Sequence, residues 1–438
     1  MKRLRVGIDG YNLALPRATG VATYGYSLAH TLADAGHIVE GVFGLAVGRD
    51  ERRREARLIA ALRHEPPKPL PRRERARLSL RAAMPRLQPR VREVALQELP
   101  HLEDLRRRIP SFARLTSCAD LFGIAHRHFK LHDRFIELDM DDPPEIMHWT
   151  YPVPVAVKGA RNIYTLHDLI PLKLPETTKY VTRHYARLVQ RCVDSAAHIC
   201  TVSEASRRDI LDLLHADADR VTNTYQTSLL DWEKGREPAL PLAFDGLAGD
   251  LMPNSYFLFF GAIEPKKNVG RLLEAYLGMR TETPLLIIGP RAWQSDEELE
   301  PLRAAEAAGN PQARRVHRLD FVPRDMLLRA IASARAVLFP SLHEGFGLPV
   351  LEALQLGAPV LTARTSSLPE VAGEAALFVD PYDVSSIAEG LRRLDTEPDL
   401  RARLQTLGPE RAQLFSPARY LARLEEMYAR TLREKPAA

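Results

Sequence analysis

The sequence predicts an α/β protein built from two doubly wound, Rossmann-like domains. Three observations carry this. Short apolar runs without polar alternation recur along the chain, stretches with helical spacing separate them, and 438 residues are more than one core usually organises. Strands buried on both faces and separated by helices belong to parallel sheets.

In chain order the strand candidates are "LRVGID", "HIVEGVFGLA", "EIMHW", "NIYTLHD" and "HICTVSE". Between about residues 48 and 140 the alternation is lost. That stretch is Arg-rich, broken by prolines and helix-favouring ("RERARLSLRAAM", "VREVALQELPHLEDLRRR"), and reads as a helical insertion into an N-terminal domain of residues 1–245. "REPALPLAFDGLAGDLMPNS", rich in Pro and Gly, reads as the linker. "YFLFFG", "LLIIG", "AVLFP", "APVLTA" and "ALFVD" follow, with helical stretches "NVGRLLEAYLGM" and "PRDMLLRAIASA", giving a C-terminal domain over 254–415. Ser416 and Pro417 then place an N-cap and a first helical position ahead of a last helix within 416–438.

Composition narrows the class. Hydrophobic residues make up 45% and charged residues 27%, the balance of a soluble protein. No apolar run approaches the eighteen or so residues of a membrane span. The polar start reads as a first strand and not as a secretion signal. Cys118, Cys192 and Cys200 have no CxxC pairing, so we expect a reducing compartment, the cytoplasm. Residues 51–90 hold twelve Arg and one Lys against four Glu, a local charge of +9 in a chain whose total is +5. The basic character is therefore local.

The most informative stretch is "HEGFGLPVLEALQLGAPV", from His343 to Val360. "AVLFP" ends at Pro340, so "SLHEGFG" is the loop at the carboxyl edge of a parallel strand, where open sheets bind ligands. The helix that follows has Pro349 near its start and Gly357 past its end. Its N-terminus is an anion seat, with Gly345 and Gly347 allowing close approach to the backbone. Glu344 stands on the loop before that seat and Glu352 about one turn into the helix. A carboxylate beside a phosphate accepts hydroxyl groups, as the acidic residue of a dinucleotide fold does from ribose. Two of them around a diphosphate describe a nucleotide sugar.

This stretch resembles the signature of the family 4 retaining glycosyltransferases, which have the GT-B fold: a Glu, seven residues, a Glu, around a GFGLP core. The resemblance extends over about residues 1–47 and 145–430 and leaves the insertion out. It implies that Gly345, Phe346, Gly347 and Leu348 form the donor seat, with Glu352 on ribose and Glu344 on the transferred sugar. "FGAIEPKKNV" resembles the loop in which the family holds the diphosphate, with Lys267 matching its lysine. Many members have arginine where this chain has Ala262, and Lys266 then supplies the second charge. "NIYTLHDLIPL" places His167 at the family's cleft histidine. "TVSEASRRDIL" matches a further segment, although Ser203 also reads as a plain N-cap. "RATGVATYGYSL" resembles the glycine-rich loop before the first helix; Gly20 is present, and Ala22 stands where a second glycine is usual.

The resemblance implies transfer of a sugar, of mannose or rhamnose type, from a nucleotide diphosphate sugar (a GDP-linked one is the first choice) to a glycan or lipid-linked acceptor in bacterial surface polysaccharide synthesis. It implies retention of configuration and neither metal nor cofactor. A sugar-nucleotide epimerase and a non-catalytic GT-B partner protein are the alternatives. Asp139-Met140-Asp141 has the D-x-D pattern of metal sites but sits beside prolines, where acidic turns are ordinary. The Arg-rich stretch carries no nucleic-acid module, and an anionic membrane surface suits it better, so nucleic acid is not expected as a partner.

Overall fold

In the computed structural model of the chain, β1 (Arg5–Asp9), β2 (Ile38–Phe43), β3 (Arg92–Val94) and β4 (Arg114–Ser117) belong to one sheet. The structure describes residues 3–13, 20–44, 112–178, 182–230 and 251–433, together with 78, 80–84, 87, 89, 91–94 and 110. A small pair, β5 (Ile136–Leu138) and β7 (Val155–Val157), flanks the same sheet. β6 (Ile146–Trp149), β8 (Arg161–Leu166), β9 (His198–Thr201) and β10 (Val221–Asn223) complete it in the order β10-β9-β8-β6-β1-β2-β4-β3. All its pairings are parallel except β3 with β4.

The second sheet is β11 (Phe257–Phe260), β12 (Leu285–Ile288), β13 (Val316–Leu319), β14 (Ala336–Phe339), β15 (Val360–Ala363) and β16 (Leu377–Val379), ordered β13-β12-β11-β14-β15-β16 and wholly parallel. β11, β12, β14 and β15 are buried along their full length. That burial is why they read as apolar runs and not as alternating ones.

The helical insertion expected over 48–140 is corrected at its C-terminal end. β4 pairs in parallel with β2, and the helix Leu121–His132 buries Leu121, Phe122, Ile124, Ala125 and Phe129. β4 reads "RLTS", with no apolar run to announce it, yet Leu115, Thr116 and Ser117 are buried. The sheet therefore resumes well before residue 140. Residues 51–77, with most of the arginines, and residues 231–250, with most of the expected linker, lie outside the described residues.

The helix Pro417–Arg433 packs back on the first sheet. Its buried Tyr420, Leu424, Met427 and Tyr428 recur on one face. Tyr428 Oη lies 2.7 Å from His148 Nδ1 in β6, and Arg430 donates to Asp219 at 3.0 Å. A continuous core contains Ile8 and Leu28 from the first unit, Phe259 from the second, and Tyr428. The carboxyl ends of both sets of strands are thus brought toward each other. Among the described residues, no helix is long and apolar enough to cross a membrane.

Candidate active site

On the second sheet the site begins where β14 ends. Gly347 precedes the helix Leu348–Gln355 with φ +95°, a conformation that L side chains rarely adopt, and a Cβ there would also lie 2.9 Å from Leu368. Glu352 is buried in this helix, and its Oε1 accepts from Arg324 Nη2 at 2.6 Å. A carboxylate buried in protein needs such a partner. Arg324 opens the helix Arg324–Ser333, beyond the carboxyl end of β13. Sequence reading missed it because β13, an edge strand half-buried throughout, gives no apolar run to mark that rim.

The lysine turn lies beside this loop. Residues Pro265–Lys267 form a single 3₁₀ turn ended by Asn268, whose left-handed φ of 61° and buried amide fix the loop. Asn268 Nδ2 donates to the carbonyls of Pro340 at 2.9 Å and Pro381 at 2.7 Å, and the Leu342 N–H donates to the Lys266 carbonyl at 2.8 Å. Lys267 Nζ consequently reaches Glu344 Oε1 at 2.6 Å, while Lys266 Nζ lies 3.3 Å from Glu264. Burial alone would push the Glu344 carboxyl up; Lys267 and Lys266 outweigh it and hold the group below the usual carboxylate range. Burial would likewise pull the Lys266 ammonium down, but Glu264, Asp168 and Glu344 hold it well above the ordinary lysine value. The charged forms of Glu344 and Lys266 are therefore the stable ones.

The first sheet supplies the opposite wall. His167 follows β8 directly, and its Nε2 lies 2.8 Å from the Thr150 carbonyl, which can only accept, so Nε2 carries the proton. The Tyr24 ring meets the imidazole edge-on at 4.8 Å, and burial holds the His167 pKa below its ordinary value. Asp9, at the end of β1, accepts from the N–H groups of Thr150 and Tyr11, and burial pushes its pKa up to about 6. Sequence reading passed over Asp9. Its signal was an acidic residue ending an apolar strand at the sheet's carboxyl edge.

The two walls touch at Gly345, where a Cβ would lie 2.6 Å from the His167 carbonyl oxygen. Ser206 Oγ donates to the His167 carbonyl at 2.7 Å and to the Gly345 carbonyl at 3.2 Å. Glu344, Lys266, Lys267, His167 and Gly345, far apart in sequence, therefore meet at one place. Other candidates stand elsewhere. The Phe346 side chain is buried against Tyr225 and Phe415, and Leu348 lies in the core, so what these two offer a ligand is backbone. Gly20 opens the helix Gly20–Asp34, is exposed, and would have no atom near an added Cβ. Ser203 caps the helix Glu204–Leu214, its Oγ accepting from the Ser206 N–H. Asp139 and Asp141 follow β5, and among the described residues no group of three or more His, Cys, Asp or Glu is placed to hold a metal ion.

Comparison with known proteins gives a consistent result. The family described as "Glycosyl transferases group 1" matches residues 252–411. O-antigen chain mannosyltransferase B of Escherichia coli is 34% identical over 263 residues, 58% of this chain and 67% of that protein. The serotype-specific mannosyltransferase WbdA of Escherichia coli is 27% identical over 260 residues, but the match spans only 31% of its length. Among solved structures, a sucrose-phosphate synthase from Thermosynechococcus elongatus has a TM-score of 0.61 at 15% identity, covering 98% of both chains. Anabaena HepE, solved with UDP and glucose, has a TM-score of 0.61 at 14% identity over 98% of this chain and 100% of that one. At these identities the likeness shows the fold: two α/β units across a cleft, the GT-B arrangement.

Proposed function

The chain belongs to the glycosyl transferases group 1 family, and from that premise we propose that it moves a mannose from a nucleotide diphosphate sugar, GDP-linked, to a glycan or lipid-linked acceptor in surface polysaccharide synthesis. The observation that carries this is the charge group of buried Glu344 with half-buried Lys267 and Lys266, Glu344 standing on the loop before a helix N-terminus and the group backed by His167. Mannosyl transfer is the activity in the names of the relatives above.

In this reading Lys267 and Lys266 stabilise the negative charge that grows on the departing diphosphate as the sugar bond breaks. Glu344, ionised beside them, accepts hydroxyls of the transferred sugar. Glu352 accepts ribose hydroxyls, with Arg324 as its ion-pair partner. His167, neutral and with its Nε2 proton held by Thr150, lines the sugar side. The acceptor hydroxyl attacks on the face that the diphosphate leaves and passes its proton to the departing phosphate oxygen, so configuration is retained without a protein nucleophile or a metal. A thermal-shift comparison of GDP, UDP and ADP, followed by product analysis with the matching sugar donor, tests the proposal. A bound nucleotide raises the melting point. No stabilisation by any of the three, or no transferred mannose, overturns it.

We further propose that the Arg-rich segment holds the enzyme on an anionic membrane surface near its acceptor. The support is compositional: twelve arginines in residues 51–90, with apolar residues interspersed in "RARLSLRAAM". Each basic residue near such a surface contributes about 1 kcal/mol, and the effect is screened by salt. Co-sedimentation with anionic and neutral liposomes, at low and high salt, tests this with Arg72, Arg73, Arg75 and Arg77 changed to Ala. Binding indifferent to lipid charge, salt and mutation rejects it.

A further inference from the structure

The N-terminus of the helix Glu204–Leu214, on the first sheet's side of the cleft, is held by a carboxylate from the other side. Glu370, in the helix Leu368–Ala372, accepts the Glu204 N–H on Oε2 at 2.8 Å and the Ala205 N–H on Oε1 at 2.9 Å. Ser203 Oγ takes the next donor, the Ser206 N–H, at 3.0 Å. A helix start leaves its first N–H groups without intrahelical partners and carries partial positive charge. The local cap satisfies one donor, and a carboxylate from across the cleft satisfies the two before it.

The same helix reaches the site. Ser203 Oγ donates to Ser206 Oγ at 2.9 Å, and the Ser206 hydroxyl in turn bridges the carbonyls of His167 and Gly345. One turn on, Asp209 accepts from Lys173 at 2.7 Å and lies 3.7 Å from Nε2 of His343, the residue before Glu344. Arg411 holds the backbone that carries Glu370, donating to the carbonyls of Glu370 and Val371. Glu370 is thus fixed on its own side and bonded to the other.

We propose that Glu370 is a positioning residue for the transfer step: seated on this helix, it sets the closed register in which Ser206 holds the His167 and Gly345 carbonyls together. This rests on the glycosyltransferase reading above. Both Glu370 carboxylate oxygens are taken by the Glu204 and Ala205 amides, so it acts through the helix and Ser206. It contributes once the walls have met and leaves the nucleotide seat of the second unit as it was.

The test uses full-length wild type, Glu370→Ala and Glu370→Gln, with two readouts. Amide hydrogen exchange reads the contact itself. Glu204 and Ala205 are expected to lose protection in Glu370→Ala while the Ser206 amide, capped by Ser203, keeps it. Kinetics and calorimetry read the consequence. Misplaced reacting groups should lower kcat about tenfold or more, with GDP and UDP affinity unchanged within about twofold. Glu370→Gln, which keeps one acceptor oxygen, should fall between, and it decides by the same readouts where the alanine variant does not fold. Unchanged protection, unchanged kcat, or a loss of affinity equal to the loss of kcat overturns the proposal. An inactive wild type overturns the glycosyltransferase reading and the proposal with it, whereas an active wild type with an equally active Glu370→Ala overturns the proposal alone.

Discussion

Gly345 and the His167 carbonyl meet across the cleft with no room for a side chain: a Cβ on residue 345 would lie 2.6 Å from that oxygen and 3.1 Å from Asp168 Oδ2. The His167 oxygen belongs to the backbone at the end of β8 and cannot swing away as a flexible side chain would. Gly345→Ala is therefore expected to part the two walls. Because small displacements of reacting groups are costly, kcat should fall about tenfold or more. Nucleoside-diphosphate affinity, measured by calorimetry on the same preparation, should change little. Full activity in the variant would show that this contact is absent when sugar is transferred.

Lys267 and Lys266 share a turn but differ in partner, one on Glu344 and one nearest Glu264. Removing a preorganised charge usually costs a few kcal/mol of transition-state stabilisation, so Lys267→Ala should reduce kcat more than about tenfold. Lys266→Ala should cost less. Lys267→Ala should also move the acid limb of the pH–rate profile upward, because Lys267 is the strongest influence holding the Glu344 carboxyl down. Equal, small losses in both variants, with an unmoved profile, would remove this turn from the diphosphate site.

Glu352 is buried and Arg324 is its ion-pair partner. Glu352→Ala should weaken nucleoside-diphosphate binding by roughly 1–3 kcal/mol, the range for a lost charged hydrogen bond. Arg324→Ala should lower the melting temperature of the free protein, since it leaves a buried carboxylate unpaired. Calorimetry and thermal melts measure the two effects separately. Unchanged affinity in Glu352→Ala would take ribose recognition away from this residue.

Acid should destabilise the fold. Burial lowers His148 from 6.5 to about 3 and His126 and His198 to about 4. Each is neutral in the fold and takes up a proton on unfolding below pH 6.5. Stability is therefore lost as pH falls through that value, levelling near 4 for two of them and near 3 for His148. Each such proton is worth about 1.4 kcal/mol per pH unit. Asp9, raised from 3.8 to about 6, acts oppositely, because the folded form protonates first and acid favours it between those values. His167, which burial also lowers, adds to their side, so the histidines outnumber Asp9 and the melting temperature should drop from pH 7.5 to 5.5. His148→Gln should flatten the drop, and an unaltered slope would remove His148 from the account.

What the sequence determined by itself is local in the chain. Apolar runs separated by helical stretches became β1, β2, β6, β8, β9, β11, β12, β14, β15 and β16. The placing of Glu344, Gly347 and Glu352 needs only a strand, its loop and the next helix. Lys267, on a turn of the same unit, and His167, at a strand end of the other, were legible through resemblance. What tertiary structure decided are the pairings that join distant segments: Glu352 with Arg324, Gly345 with His167, Glu370 with the Glu204 and Ala205 amides, and Asp9 with Thr150. The same holds for β4, β10 and β13, whose polar or half-buried residues carry no pattern of their own and become strands through hydrogen bonds to a neighbour. Periodicity records which face of an element meets the core. It carries no record of which two loops meet once two sheets are set face to face, and in this protein the candidate site lies between those loops.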